Sequence, residues 1–87
     1  MDKIQTSLDW QELRVQIEQK IRHLDYKIQK DLYIMLKNTD TCVGKLSIEE
    51  IQCRRHHKPT GKFLTKLEET NTMIADINKM ITMGALL

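Results

Sequence analysis

The amino-acid sequence predicts an all-α fold, an extended antiparallel helical hairpin or coiled coil with a short middle helix. Apolar residues recur at helical spacing toward both ends of the chain, and they are mostly Ile, Leu and Met. Aromatic residues are few, and one proline and three glycines leave little with which to build the turns of a sheet. At 87 residues the chain is read as a single helical domain, 1–87, with helices at about 9–37, 47–57 and 61–83.

The first helix carries the strongest periodicity. Trp10, Leu13, Ile17, Ile21, Leu24, Ile28, Leu32 and Met35 step by 3, 4, 4, 3, 4, 4 and 3, which keeps one face apolar from Asp9 to Lys37. Asp9 and Glu12 form a D-x-x-E pattern at its start, and Glu18 precedes Arg22 as an acid-first i,i+4 pair. The residues NTDTCVGKL, 38–46, read as a connector, because Asn, Thr and Asp compete with the helix for backbone hydrogen bonds. Ser47-Ile48-Glu49-Glu50 then supplies a capping box for the middle helix. Lys58-Pro59-Thr60-Gly61 ends that helix, since the residue before proline leaves the α region. In the last helix Phe63, Leu67, Thr70, Ile74, Ile77 and Ile81 follow a heptad pattern, and Gly84 marks the exit.

A first helix of this length is ~44 Å long, whereas a compact chain of this size has a radius of gyration near ~12 Å. A hairpin of two such helices leaves an apolar flank on each. The expected remedy is packing against other helical subunits, with a hetero-oligomer favoured over a homo-oligomer. The residues assigned to that partner interface are Leu13, Ile17, Ile21, Leu24 and Ile28 in the first helix and Leu67, Ile74, Ile77 and Ile81 in the last.

The formal net charge of +2 is small, but its distribution is uneven. Residues 54–66 hold five basic side chains and no acid, while 38–53 and 67–87 each carry −2. Arg54, Arg55, Lys58, Lys62 and Lys66 are therefore candidate anion-docking residues, and a small nucleic-acid-binding or regulatory protein using this corner is the alternative function class. Against it, the following helix presents Glu68, Glu69 and Asp76, which repel a phosphate backbone.

Other chemistry finds less support in the spacing. Cys42, Cys53, His56 and His57 lack the paired C-x(2–4)-C and H-x(3–5)-H arrangement that aims ligands at one zinc ion. Adjacent histidines on a helix diverge by about 100°. Thr60-Gly61-Lys62-Phe63 lacks the other elements of a phosphate-binding loop, and the carboxylate pairs lie on helix surfaces. The expectation is a non-enzyme with no catalytic residue, cofactor or metal. No apolar run reaches the ~20 residues of a membrane span, the N-terminus lacks the pattern of a secretion signal, and two cysteines in no framework suit a reducing compartment. A soluble, cytoplasmic chain is expected.

One segment carries a family likeness. Leu67 to Met80, LEETNTMIADINKM, resembles the leucine/phenylalanine-E-x-T-N-x-M-hydrophobic segment of the KxDL-motif family. Members of that family are small helical subunits of lysosome-positioning and lysosome-related-organelle assemblies. The resemblance implies a coiled-coil scaffold or adaptor subunit in a trafficking or tethering complex.

Overall fold

The computed structural model describes residues 3–86 and arranges them as three helices, α1 (Ser7–Ile21), α2 (Tyr26–His56) and α3 (Gly61–Ala85). The all-α class and the helical hairpin are as expected; the helix boundaries are not. Two differences share one cause: burial between helices, which propensity along the chain does not report.

The first difference is a break at Arg22–Asp25, inside the helix expected over 9–37. The Leu24 N–H donates to Ile21 O at 3.0 Å as the chain turns, and Asp25 O starts α2 by accepting from the Ile28 and Gln29 N–H groups. Gln29 closes the corner by donating its side-chain amide to Arg22 O at 3.2 Å and Leu24 O at 2.8 Å. Carbonyls orphaned at the end of α1 thus find a partner outside it. The apolar stripe passes through the break undisturbed because α1 and α2 face the same core from opposite directions. Periodicity alone cannot distinguish that from one long helix.

The second difference is that 38–46 is helical, so the short middle helix at 47–57 is the last third of α2. Leu32, Leu36, Thr39, Val43 and Leu46 continue a buried stripe straight through the segment. Its hydroxyls cease to compete with the helix by bonding back to it, Thr39 Oγ1 to Met35 O at 2.8 Å and Thr41 Oγ1 to Lys37 O at 3.3 Å, and just beyond it Ser47 Oγ donates to Gly44 O at 2.7 Å. Ser47 therefore caps nothing. The start of α1 also shifts: Thr6 is the N-cap, and Asp9 reaches back to accept from the Gln5 and Thr6 N–H groups at 2.9 and 3.2 Å.

The turn between α2 and α3 falls where expected. His57 takes the left-handed conformation with φ 55°, and the Lys58 N–H donates to Cys53 O at 3.3 Å. Thr60 then caps α3, its Oγ1 accepting from the Phe63 N–H at 3.2 Å. At the other end α3 continues past Gly84 to Ala85. Gly84 serves close packing, since a Cβ there would meet Ile28 at 3.2 Å and Leu24 at 3.6 Å.

The molecule measures 47 × 20 × 17 Å, with a radius of gyration of 14.1 Å. Its long axis matches the ~46 Å of a 31-residue helix. Helices α2 and α3 form an antiparallel hairpin along this axis, and the shorter α1 lies in the groove between them. The core runs through all three as Trp10, Leu13, Ile17 and Ile21 against Leu32, Leu36, Val43, Leu46, Ile74, Ile77 and Ile81.

Candidate functional site

The residues expected to meet a partner meet the chain itself. Leu13, Ile17, Ile21, Ile74, Ile77 and Ile81 are buried in the core, and Leu24, Ile28 and Leu67 pack half-buried against it. The partner-interface assignment is corrected accordingly: α1 supplies the cover that two helices lacked. Of these nine, only Leu67 borders surface that stays open.

Polar contacts hold α1 in place, and each joins residues far apart in sequence. Asp40 on α2 accepts from Trp10 Nε1 at 2.7 Å and from the Arg14 guanidinium at 2.9 to 3.2 Å. Arg14 also pairs with Glu18. Glu50 accepts from both the N–H and the Oγ of Ser7 at 2.6 and 2.7 Å, so a carboxylate from α2 sits on the N-terminus of α1, where the helix dipole favours it. Asn71 on α3 binds both backbone groups of Ile4, accepting from its N–H at 2.8 Å and donating to its carbonyl at 3.0 Å. Sequence reasoning missed all three contacts, and it read Glu50 as half of a local capping box.

These contacts show which face of the hairpin α1 covers. On α2 that face carries Asp40; Ile51 lies eleven residues further on, close to three turns, and Arg54 fourteen, close to four. On α3 it carries Asn71, and Leu64 lies seven residues before it, close to two turns. Ile51 and Leu64 thus flank the same groove beyond the point where α1 and its leading segment end. They stay 47% and 54% exposed, while Phe63 and Leu67 between them are half-buried. Among the described residues, nothing covers the groove here.

The five candidate anion-docking residues do not form one patch. Arg54, Arg55, Lys58 and Lys62 are exposed, and Lys66 is half-buried. Arg54 projects from the groove side of α2 and Arg55, about 100° further round, from its outer flank; among the described residues neither has a carboxylate within ion-pairing distance. Lys62, nine residues before Asn71, points to the opposite side of α3. There it lines a shallow depression with Lys66, Glu49 and Glu69. The hydrogen bond from Lys66 Nζ to Glu69, 2.7 Å long, raises the pKa of the ammonium above its ordinary value. Its charge is answered within the chain, which corrects the view of Lys62 and Lys66 as part of one basic grip.

The thiols have structural surroundings. Cys42 is buried 3.1 Å from Thr70 Oγ1, and Thr70 also donates to Lys66 O, which satisfies a hydroxyl within the apolar seam. Cys53 accepts from the Thr60 N–H at 3.4 Å and braces the turn. Both cysteines are free. Among the described residues, no three His, Cys, Asp or Glu side chains converge on a point that would hold a metal ion, and no helix is long and apolar enough to cross a membrane.

Comparison with protein-family models, curated proteins and solved structures finds no match for this chain.

Proposed function

We propose that the chain is a non-enzymatic helical adaptor or scaffold subunit that joins a protein assembly through the open end of its hairpin. One observation carries this reading: the groove that α1 fills elsewhere lies open between Ile51 and Leu64. Because the chain completes its own core, a different protein is favoured over a second copy of the chain as partner. Two free cysteines accord with a cytoplasmic setting, and the Leu67 to Met80 resemblance favours a trafficking or tethering complex. Nucleic-acid binding has less support, since the basic residues divide between two sides of the hairpin and two of them share their side with Glu49 and Glu69.

The test is chemical crosslinking of the tagged chain inside cells that express it, so that a transient contact is kept, followed by purification, light scattering and mass spectrometry. A stoichiometric helical partner is expected. A lone 10.3 kDa species with no stoichiometric partner overturns the reading.

A further inference from the structure

Beyond the existence of a partner, we infer that the open groove at the hairpin tip docks a short acidic amphipathic helix from another protein, with its apolar edge over Ile51, Phe63, Leu64 and Leu67 and its carboxylates beside Arg54, within the field of Arg55 on the adjoining flank of α2. This rests on the adaptor reading and names the chemistry of its partner.

The occupied part of the same groove supplies the template. There the hairpin takes up an amphipathic helix, α1, whose apolar residues Trp10, Leu13, Ile17 and Ile21 are spaced by 3, 4 and 4. On that stretch α2 presents carboxylates, Asp40 and Glu50, and α1 answers with donors: the Arg14 guanidinium, the Trp10 indole N–H and the Ser7 N–H and hydroxyl. Past Glu50 the groove keeps its apolar floor, but α2 presents Arg54, with Arg55 on its outer flank and Lys58 at the turn. The sign is reversed, so a complementary occupant carries acids where α1 carries donors.

Glu68, three residues before Asn71, is the charged group on the α3 flank, which places the occupant's carboxylates on the α2 side. From Gly61 to Asn71 the open stretch of α3 is ~15 Å long, enough for two to three turns of helix, or roughly 7 to 10 residues. So small a contact belongs with weak, transient interfaces. A lipid surface fits less well, because Arg54, Arg55 and Lys58 lie nearer the tip than Ile51, so charge would have to enter ahead of the apolar residues.

The probes are two synthetic peptides of about 12 residues, equal in helical leucine spacing, one flanked by Glu and one by Lys, titrated into the isotope-labelled full chain. The Glu peptide is expected to shift amides in 47–56 and 61–68 and to bind about tenfold tighter than the Lys peptide. Arg54→Glu with Arg55→Glu reverses that order. Ile51→Ser with Leu64→Ser weakens the Glu peptide by about tenfold or more while leaving the helical melting curve intact, since both side chains are exposed. Equal binding of the two peptides, shifts confined to α1, or binding unchanged by Ile51→Ser with Leu64→Ser overturns the proposal. So does preference for phosphatidylserine vesicles or polyuridylate over the Glu peptide. A stoichiometric cellular partner that the Ile51→Ser, Leu64→Ser chain still retains removes this surface but leaves the adaptor reading standing.

Discussion

The two ends of the hairpin are built on one pattern and differ first in what covers it. Where α1 lies in the groove, Leu32, Leu36, Ile74 and Ile77 are fully buried, and polar contacts tie α1 to α2 and the segment leading into it to α3. At the turn α2 and α3 stand alone, and Ile51 and Leu64 remain exposed on the side that α1 would have covered. Two helices bury only the seam between them. The comparison shows that this chain makes its three-helix core over part of its length and leaves the rest as a two-helix projection.

The contrast can be tested most severely with Ile21→Asp, which places a carboxylate at a fully buried site. It is expected to cost about 4 kcal/mol or more and to abolish cooperative unfolding followed by circular dichroism. The same change at Ile51 is expected to stay within about 0.5 kcal/mol. Comparable melting of the two variants would erase the distinction between the covered and open ends.

A smaller effect sharpens it. Asp40→Ala strands the indole N–H of Trp10, a side chain only 4% exposed, and is expected to destabilise by about 1–3 kcal/mol. Trp10 is the sole tryptophan, so its emission should move to longer wavelength as the α1 contact loosens. Unchanged stability and emission would mean that Asp40 does not hold α1.

The smallest effect has the opposite sign. Gly44 sits inside α2, exposed, with open space where a Cβ would stand. Gly44→Ala is expected to stabilise the chain by roughly 0.5–1 kcal/mol, read as a higher midpoint in urea. Destabilisation would show that the backbone of α2 is approached closely there, and that the open surface is not confined to the tip.

Several features were legible in the sequence at once. The α class, the turn at Lys58–Gly61 and the apolar faces that carry Leu13, Ile17, Ile21, Ile74, Ile77 and Ile81 all follow from 3-and-4 spacing and from proline's restriction of its neighbour, although those faces were assigned to a partner and meet the chain itself. The corner at Arg22–Asp25 left one faint sign, Asp25 as a residue that starts helices. Its decisive element is Gln29, whose role needs the turn to exist already. The helical state of 38–46 was hidden because Asn38, Thr39, Asp40 and Thr41 argue locally against a helix, and only burial of Thr39, Cys42 and Val43 overrules them. At the candidate site, sequence located the basic residues but treated five neighbours in the chain as neighbours in space.

By itself the sequence determined that this protein is helical, which residues share an apolar face, and where the second and third helices part, because these are local properties of spacing and backbone restriction. Tertiary structure alone decided that one long stripe becomes two helices, that α1 rather than another subunit covers most of the groove, and that Arg54 shares a side with Ile51 while Lys62 and Lys66 do not. The contacts responsible, Ser7 with Glu50, Trp10 with Asp40 and Ile4 with Asn71, link positions 30 to 67 residues apart. Periodicity reports the direction in which a side chain faces along its own helix; what it meets there depends on how the helices return to one another.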